Sequence, residues 1–316
     1  FPVVLIYGVS ITNTVDSFIV NQLGGPEISR YILAPLCVGL MTLALAFGNA
    51  IMLKIAQFVV YPLIVALAAV SLYLIPQWDL GSFMEAGDHT AGGVIKAIIL
   101  ILPVLVFSFS FVAAISQFSL GMEKEYGADH HAQSDKVIRN SAILLTVFTM
   151  FFVWSCALAM GADGMQEAND KNLPVLSYFA NETGTPFMAY MAPIVVICAV
   201  ASSYFGHALG TIEGTQYLFN LAAPKATKKM SARTLDLWTY LFIFIATSLV
   251  GIFNPSILDM ISVVGGVFFA FMTYLLPIWV IYRVEALARF RSNKTNYFVA
   301  VMGFIVLFAT IWGMFQ

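Results

Sequence analysis

The chain has 316 residues, of which 60% are hydrophobic and only 10% are charged, and its mean hydropathy is +0.88. In soluble domains about a quarter of all residues are charged. This composition therefore excludes a soluble protein and indicates an integral membrane protein. The net charge of −2 gives no basis for nucleic-acid binding. The three cysteines lie in apolar runs at no metal-ligand spacing, which predicts buried apolar roles and no disulfide framework.

Nine apolar runs, each about long enough to cross a bilayer, follow one another along the chain. They predict membrane helices, because a segment in lipid must pair all its backbone polar groups internally. The loops between them are too short for a second, soluble domain. We therefore predict one all-α transmembrane domain over residues 1–316. Its spans are predicted at 2–22, 31–48, 51–75, 94–120, 137–161, 186–212, 233–253, 255–282 and 296–315.

Lysine and arginine are distributed unevenly between the loops on the two sides. Twelve of the fifteen fall in the loops after the second, fourth, sixth and eighth spans. These basic loops are cytoplasmic by the positive-inside rule, which predicts a cytoplasmic Phe1 and a periplasmic Gln316. The loops on the opposite side, around 79–88 and 163–182, are acidic, and this composition is typical of solvated external loops. The twelve are Lys54, Lys124, Lys136, Arg139, Lys225, Lys228, Lys229, Arg233, Arg283, Arg289, Arg291 and Lys294.

The first predicted span carries a polar face. Ser10, Asn13 and Ser17 share one side of a helix at spacings of three and four, Thr14 adjoins them, and Asp16 lies three residues after Asn13. Polar groups inside a span are costly and often functional. Two interpretations stay open: hydrogen bonds between helices near the outer surface, or a face that lines a substrate cavity with Asp16 as a proton carrier.

The fourth predicted span places Ser108 and Ser110 near mid-membrane, between phenylalanines. Serines in membrane helices commonly bond back to a carbonyl of their own helix. The alternative is that these hydroxyls meet a small polar substrate.

The sixth predicted span has two stripes of small and polar residues. One gives another helix room to approach closely. The second runs beside it, and its Ser203 lies deep in the membrane whereas His207 approaches the cytoplasmic surface. The first stripe is Ser202, Gly206, Gly210 and Gly214, and the second is Ser203, His207 and Thr211.

Asn254 and Pro255 predict a tight external turn between the seventh and eighth spans. Gly265 and Gly266 follow inside the eighth span, where they are expected to loosen the helix. Irregular helices at membrane depth are typical of transporter binding sites. The sequence contains none of the enzyme signatures HExxH, GxSxG and GxxxxGK[ST], and we predict that the protein is not an enzyme.

Several segments together resemble the serine/threonine permease branch of the hydroxy and aromatic amino acid permeases of bacterial inner membranes. They occur in order from one end of the chain to the other. The segments are VVLIYGVSITNTVDSF (3–18), PVLVFSF (103–109) with EKEYG (123–127), LPVLSYFAN (173–181), FGHALGTIEG (205–214) and NPSILDMISVVGG (254–266).

This resemblance implies a LeuT-like fold of two inverted five-helix repeats plus an eleventh helix. On that comparison the nine spans are helices 3–11, and helices 1 and 2 are expected upstream of Phe1, which opens an apolar run without an initiator methionine. The implied function is import of serine or threonine with a coupling cation as the only cofactor. The implied substrate residues are Ser10, Asn13, Thr14, Phe107, Ser108, Phe109 and Ser110.

Two departures from the family pattern bear on mechanism. Relatives continue helix 6 with Asn-His-Ser-Pro, where this chain has residues 110–113, SFVA; without that proline the residues do not themselves predict a helix break. Where some relatives carry a lysine in helix 8, this chain has Ser202 and Ser203, which resemble the hydroxyl ligands of sodium-coupled members. Proton symport is the expected mechanism, with Asp16, Ser202 and Ser203 as coupling residues. Sodium symport and an aromatic amino acid permease are the alternatives.

Overall fold

The computed structural model describes residues 1–46, 49–85 and 89–315, and these ranges are mostly helical and contain no β-strand. The α-helices are α1 (Pro2–Ser17), α2 (Arg30–Ala46), α3 (Asn49–Leu74), α4 (Leu80–Glu85), α5 (Ala91–Phe109), α6 (Val112–Tyr126), α7 (His130–Asp170), α8 (Val175–Glu182), α9 (Pro186–Ala222), α10 (Pro224–Thr227), α11 (Ala232–Phe253), α12 (Ile257–Val263), α13 (Leu276–Arg283) and α14 (Thr295–Gly313). Three π-helical stretches cover Phe18–Gln22, Val264–Phe269 and Phe271–Leu275.

Eight helical segments of the described ranges are long and apolar enough to cross a membrane, which confirms the prediction of an all-α membrane protein. The predicted second span corresponds to a shorter apolar helix, Arg30–Leu45. Residues 47 and 48, its predicted end, lie outside the described residues. The eight segments are Pro2–Gln22, Phe58–Gln77, Ala91–Phe109, Phe118–Asp170, Pro186–Ala222, Ala232–Phe253, Ile257–Arg283 and Thr295–Gly313.

Residues 1–84 and 148–257 form one compact unit. Its core is a continuous apolar cluster in which α1 packs against α2, α9 and α11, and α9 also packs against α3 and α8. Gly8 marks the closest approach of α1 to α11, because a Cβ at Gly8 would overlap the side chain of Thr247. The helix α1 is therefore packed closely against its neighbours in this unit.

A bend precedes, and a short buried helix interrupts, the solvated external loop predicted around 163–182. Gly161 has φ 65° and ψ −176° and interrupts α7. The carbonyl of Leu158, one turn earlier, accepts a hydrogen bond from the amide of Asp79 at 2.9 Å. The short helix α8 then packs on α9 with residues 176–180 buried. The loop prediction was wrong for residues 176–180, because an eight-residue helix is too short to register as a span, whereas Asp163, Glu167 and Asp170 are exposed as predicted.

Residues 85–147 and 258–316 form the second compact unit. In it α5 and α14 pack against the π-helical stretch Val264–Phe269. Gly265 faces α5, and Gly266 faces Thr310 of α14. The helix is irregular at these glycines, as the sequence predicts, but it is not loose, because both glycines lie in close contact with a neighbouring helix.

Candidate functional site

The polar face of α1 lies at the centre of a network of three asparagines. Asn13 Nδ2 donates to the carbonyl of Asn172 at 2.8 Å and to Oδ1 of Asn254 at 3.0 Å. Asn172 Nδ2 donates to Asn254 Oδ1 and to the Pro255 carbonyl, both at 2.9 Å, and its Oδ1 accepts from the amide of Ile257 at 2.8 Å. Asn172 and Asn254 have left-handed backbones, with φ 53° and 51°. This network fixes α1 to two chain turns, including the turn predicted at Asn254.

The neighbouring residues of the same face have partners on α8. Ser177 Oγ lies 3.3 Å from Thr14 Oγ1, and both residues are buried. Ser17 Oγ accepts from Asn181 Nδ2 at 3.0 Å and from Asn21 Nδ2 at 3.1 Å. The first interpretation of this face, hydrogen bonding between helices, therefore accounts for Thr14 and Ser17. Ser10 is buried on α1 as well.

Asn13, Asp16 and Ser17 also line a polar cavity of about 560 Å³. Asn13 is 5% exposed, and its Oδ1 is buried without a hydrogen-bond partner. Asp16 and Arg30 attract each other electrostatically across the cavity, yet no ion pair within 4 Å is formed between them. Arg30 Nη2 donates to the Gly251 carbonyl at 2.7 Å, and its Nε is buried without a partner. The cavity thus holds opposite charges that do not neutralise each other by contact.

Lys171, by contrast, is neutralised at the edge of this cavity. Its Nζ lies 2.6 Å from Glu167 Oε1 and 3.8 Å from Glu182 Oε1. Tyr178 donates to Glu167 Oε2 at 2.6 Å. The hydrogen bond to Glu167 raises the pKa of Tyr178 to about 12, with burial as the second cause. The phenol is therefore a donor throughout the physiological pH range.

Replacing Tyr178 by phenylalanine is expected to lower the free energy of unfolding by about 1 kcal/mol, the contribution of one hydrogen bond to a charged but exposed partner. The pKa of tyrosine in the unfolded chain is about 10. A raised pKa in the folded state means that the contribution is complete below pH 10 and is lost as the pH rises towards 12. Unfolding of both proteins measured across this range tests this; a difference that stays constant up to pH 12 would contradict it.

In the second unit, the predicted substrate residues lie at a helix break. α5 ends at Phe109 and α6 begins at Val112, while Ser110 has an extended backbone with φ −84° and ψ 124°. Ser108 Oγ donates to the Val104 carbonyl at 2.8 Å, the usual backbone bond of a membrane serine. Ser110 Oγ is buried without a partner, and the ring of Phe107 stacks on Phe269 at 5.4 Å. The break occurs although no proline lies in residues 110–113.

Ser202 and Ser203 of α9 make different contacts. Ser202 Oγ donates to the Ala199 carbonyl at 3.0 Å, whereas Ser203 lies close enough to Tyr7 of α1 for its side chain to interact with the phenol. His207 Nδ1 lies 2.9 Å from the Ser203 carbonyl, which can only accept, and its ring packs on Tyr7 at 5.7 Å. Of the two serines, only Ser203 therefore lies next to α1.

The glycine stripe of α9 does not make the close helix contact that the sequence predicted. A Cβ built at Gly206, Gly210 or Gly214 would meet no atom within 4 Å among the described residues. The glycines do recur every four residues, but this spacing alone does not show that a partner helix lies against them.

The predicted residues of α1 and of α9 belong to the first unit, but no contact joins Ser10, Asn13, Thr14 or Asp16 to Ser202 or Ser203 among the described hydrogen bonds. Phe107, Ser108, Phe109 and Ser110 lie together at the break in the second unit. Asn172, Arg30 and Tyr7 were not predicted from the sequence. Asn172 carried one usable signal, since asparagine is the residue that most readily takes a left-handed backbone apart from glycine.

Comparison with known proteins agrees with the membrane architecture. The sequence profile of the family described as "transmembrane amino acid transporter protein" matches residues 28–316. The chain is 35% identical over 321 residues to the serine transporter SdaC of Escherichia coli K12, and this match covers all of the chain and 75% of that protein. It is 34% identical over 332 residues to the threonine/serine transporter TdcC of Yersinia enterocolitica, covering 98% of the chain and 75% of that protein.

No solved structure matches the chain. The matched family consists of transporters and not of enzymes, and the apolar helices agree with a multi-pass protein of the bacterial inner membrane. The chain belongs to the transmembrane amino acid transporter family.

Proposed function

We propose that this protein imports serine or threonine by symport with a proton. The observation that carries the substrate is similarity over the whole chain to transporters named for serine and threonine. The break at Ser110 supports a site of the kind that transporters build from discontinuous helices, where freed backbone groups and unpaired hydroxyls bind a small polar solute. A LeuT-like arrangement, with the spans as helices 3–11 of a single permease domain, belongs to the same proposal.

Proton coupling is supported by titratable groups inside the first unit. Asp16 lies on α1 at the polar cavity, and His207 lies on α9 against Tyr7. Ionisable residues within membrane segments are typical of proton relays. Sodium coupling is the alternative, because the Ser202 hydroxyl donates only one bond and keeps oxygen lone pairs for a hard cation. The basic loops support a cytoplasmic Phe1 and a periplasmic C-terminus.

Uptake of labelled serine into proteoliposomes, with pH and sodium gradients imposed separately, tests this function. Accumulation driven by the pH gradient alone is expected. Accumulation driven only by sodium would replace the proton with sodium, and uptake that no gradient drives uphill would reject symport. Tryptophan or tyrosine that displaces serine efficiently would indicate the aromatic branch of the family.

The double variant Ser202→Ala/Ser203→Ala is expected to weaken the response of uptake to the driving ion gradient about fivefold or more, the usual lower range of coupling between two sites. The reason is that it removes the hydroxyl of Ser203, which interacts with Tyr7 of α1, and the neighbouring hydroxyl of Ser202. The variant Ser202→Thr/Ser203→Thr keeps the hydroxyls and is the matched control. An unchanged ion response in the alanine variant would assign the two serines to packing.

A further inference from the structure

A groove of about 660 Å³ lies between the helical segment 271–283 and α14 in the second unit. All of its lining residues lie within 258–316, so the groove is formed by this unit alone. Its lining is apolar or aromatic, as at Leu275, Trp279 and Phe304, with Arg283 as the one exception. The groove is therefore apolar along its length and carries a single positive charge at one end.

The two walls of the groove are held together by close packing. A Cβ at Gly303 of α14 would lie 2.7 Å from Leu275 Cδ2 and 2.8 Å from Tyr274 Cβ, which is closer than van der Waals contact. The walls therefore approach each other as closely as a glycine allows. Ala300, three residues earlier on α14, lines the groove, and its small side chain leaves the space between the walls open.

The charge at the end of the groove has no anionic partner within the protein. Arg283 is the last residue of α13 and is exposed, and its guanidinium carbon lies 5.9 Å from the centre of the Trp279 ring, within the range of a cation–π contact. Glu285, the only acidic residue in 283–294, lies 3.3 Å from Arg291 instead. No carboxylate among the described side chains forms an ion pair with Arg283. This cation is therefore available to an anion from outside the chain.

We propose that the groove binds an anionic phospholipid of the surrounding membrane, with an acyl chain along the groove and the phosphate at Arg283. Arg283 and Phe271 are twelve residues apart, which is about 18 Å at the rise of an α-helix. This length is close to the depth of one bilayer leaflet, about 15 Å. Tryptophan and tyrosine are enriched at the level of the lipid headgroups, and Trp279 and Tyr282 lie within about one turn of Arg283.

The charge, and not the apolar lining, decides which lipid binds. An acyl chain gains little on leaving a bilayer interior that is as apolar as the groove. A planar guanidinium, by contrast, pairs with phosphate oxygens through two parallel hydrogen bonds. Basic residues next to a membrane surface also attract anionic headgroups, and the segment 283–294 contains four of them. A phospholipid with a net negative charge is therefore preferred to a zwitterionic one with the same chains.

Native mass spectrometry of the purified protein in neutral detergent tests this preference. The probe is dioleoylphosphatidylglycerol, and dioleoylphosphatidylcholine, which has the same chains and no net charge, is the comparison. The unchanged protein is expected to bind the anionic lipid about fivefold more tightly, the effect of one basic residue near a membrane surface. Arg283→Gln should abolish this difference without changing phosphatidylcholine binding. Arg289→Gln, the matched control, removes the same charge from a side chain that packs on Phe290 outside the groove, and should keep the difference.

A second variant tests the position of the acyl chain. Ala300→Phe is expected to fill the groove and to remove one bound lipid of either kind. Val301→Phe is its matched control, because Val301 is 55% exposed and does not line the groove, and should bind lipid as the unchanged protein does. If Ala300→Phe does not fold, Arg283→Gln still decides the role of the charge.

Equal affinity of the unchanged protein for the two lipids would overturn the proposal. An equal loss of preference in Arg283→Gln and Arg289→Gln would also overturn it, because the preference would then belong to the charge of the whole segment. Lipid binding that a folded Ala300→Phe variant retains would reject the groove as its place. A dimer in detergent that Ala300→Phe dissociates, and that does not respond to phosphatidylglycerol, would replace the lipid with a second copy of the chain.

Discussion

Replacing Gly266 by alanine is expected to lower the free energy of unfolding by about 3 kcal/mol, because the new methyl group has no space. A Cβ at Gly266 would overlap Thr310 Oγ1 and would lie 2.6 Å from Thr310 Cβ and 2.8 Å from its Cγ2. All three atoms belong to one side chain. The double variant Gly266→Ala/Thr310→Gly should therefore recover most of the loss, less about 1 kcal/mol for a glycine inside α14.

Gly265→Ala is expected to be at least as destabilising, but it cannot be rescued in this way. Its Cβ would overlap the carbonyl oxygen of Pro103, a backbone atom, and would lie 2.9 Å from Phe107 Cβ. Adding Thr310→Gly should leave the loss unchanged. Denaturant unfolding in detergent measures the free energy of unfolding of each glycine variant, with and without Thr310→Gly. Gly210→Ala is the control, since a Cβ there meets nothing within 4 Å. Equal rescue of both glycine variants would contradict the packing of the π-helical stretch between α5 and α14.

The second large effect is expected at Asn172. Its alanine variant loses three side-chain hydrogen bonds and must hold a left-handed backbone at φ 53°. At about 1 kcal/mol for each bond and 1–2 kcal/mol for the backbone, the expected loss is about 4 kcal/mol. Asn172→Gly removes the same bonds but accepts the left-handed backbone, so it should be about 1 kcal/mol less destabilising.

Asn169→Ala provides the matched control for this comparison, because Asn169 is exposed in the last turn of α7 and lies three residues away. Its unfolding free energy is expected to stay within about 0.5 kcal/mol of the unchanged protein. If the alanine and glycine variants at Asn172 were equally stable, the left-handed backbone would not contribute. If both matched Asn169→Ala, the asparagine network would not stabilise the fold.

The membrane helices followed from hydropathy because a long apolar run has no alternative structure in lipid. The predicted span 233–253 and the helix Ala232–Phe253 differ by one residue at the start, and Asn254 ends the helix as the predicted turn requires. The burial of α8 could not be predicted from hydropathy, since an apolar stretch within eight residues is too short to register as a span. Hydropathy reports the length of apolar runs and does not report which short segment returns to the core.

The candidate site was predictable in part. The polar face of α1 identified Asn13 and Asp16, because helical spacing places them together. Arg30 could not be predicted, since its contact with the Gly251 carbonyl joins residues 221 positions apart in sequence. The break at Ser110 shows the same limit, because residues 110–113 contain no proline or glycine that would interrupt a helix.

The bend at Gly161 also restricts how this protein can change in evolution. The Leu158 carbonyl before the bend is bonded to Asp79, and Asn172 after it is fixed by the asparagine network, so the intervening segment is held at both ends. One inserted or deleted residue would rotate the following helix by about 100° and would disconnect one end. Among descendants of this gene, substitutions between positions 158 and 172 are therefore expected to accumulate while insertions and deletions are eliminated.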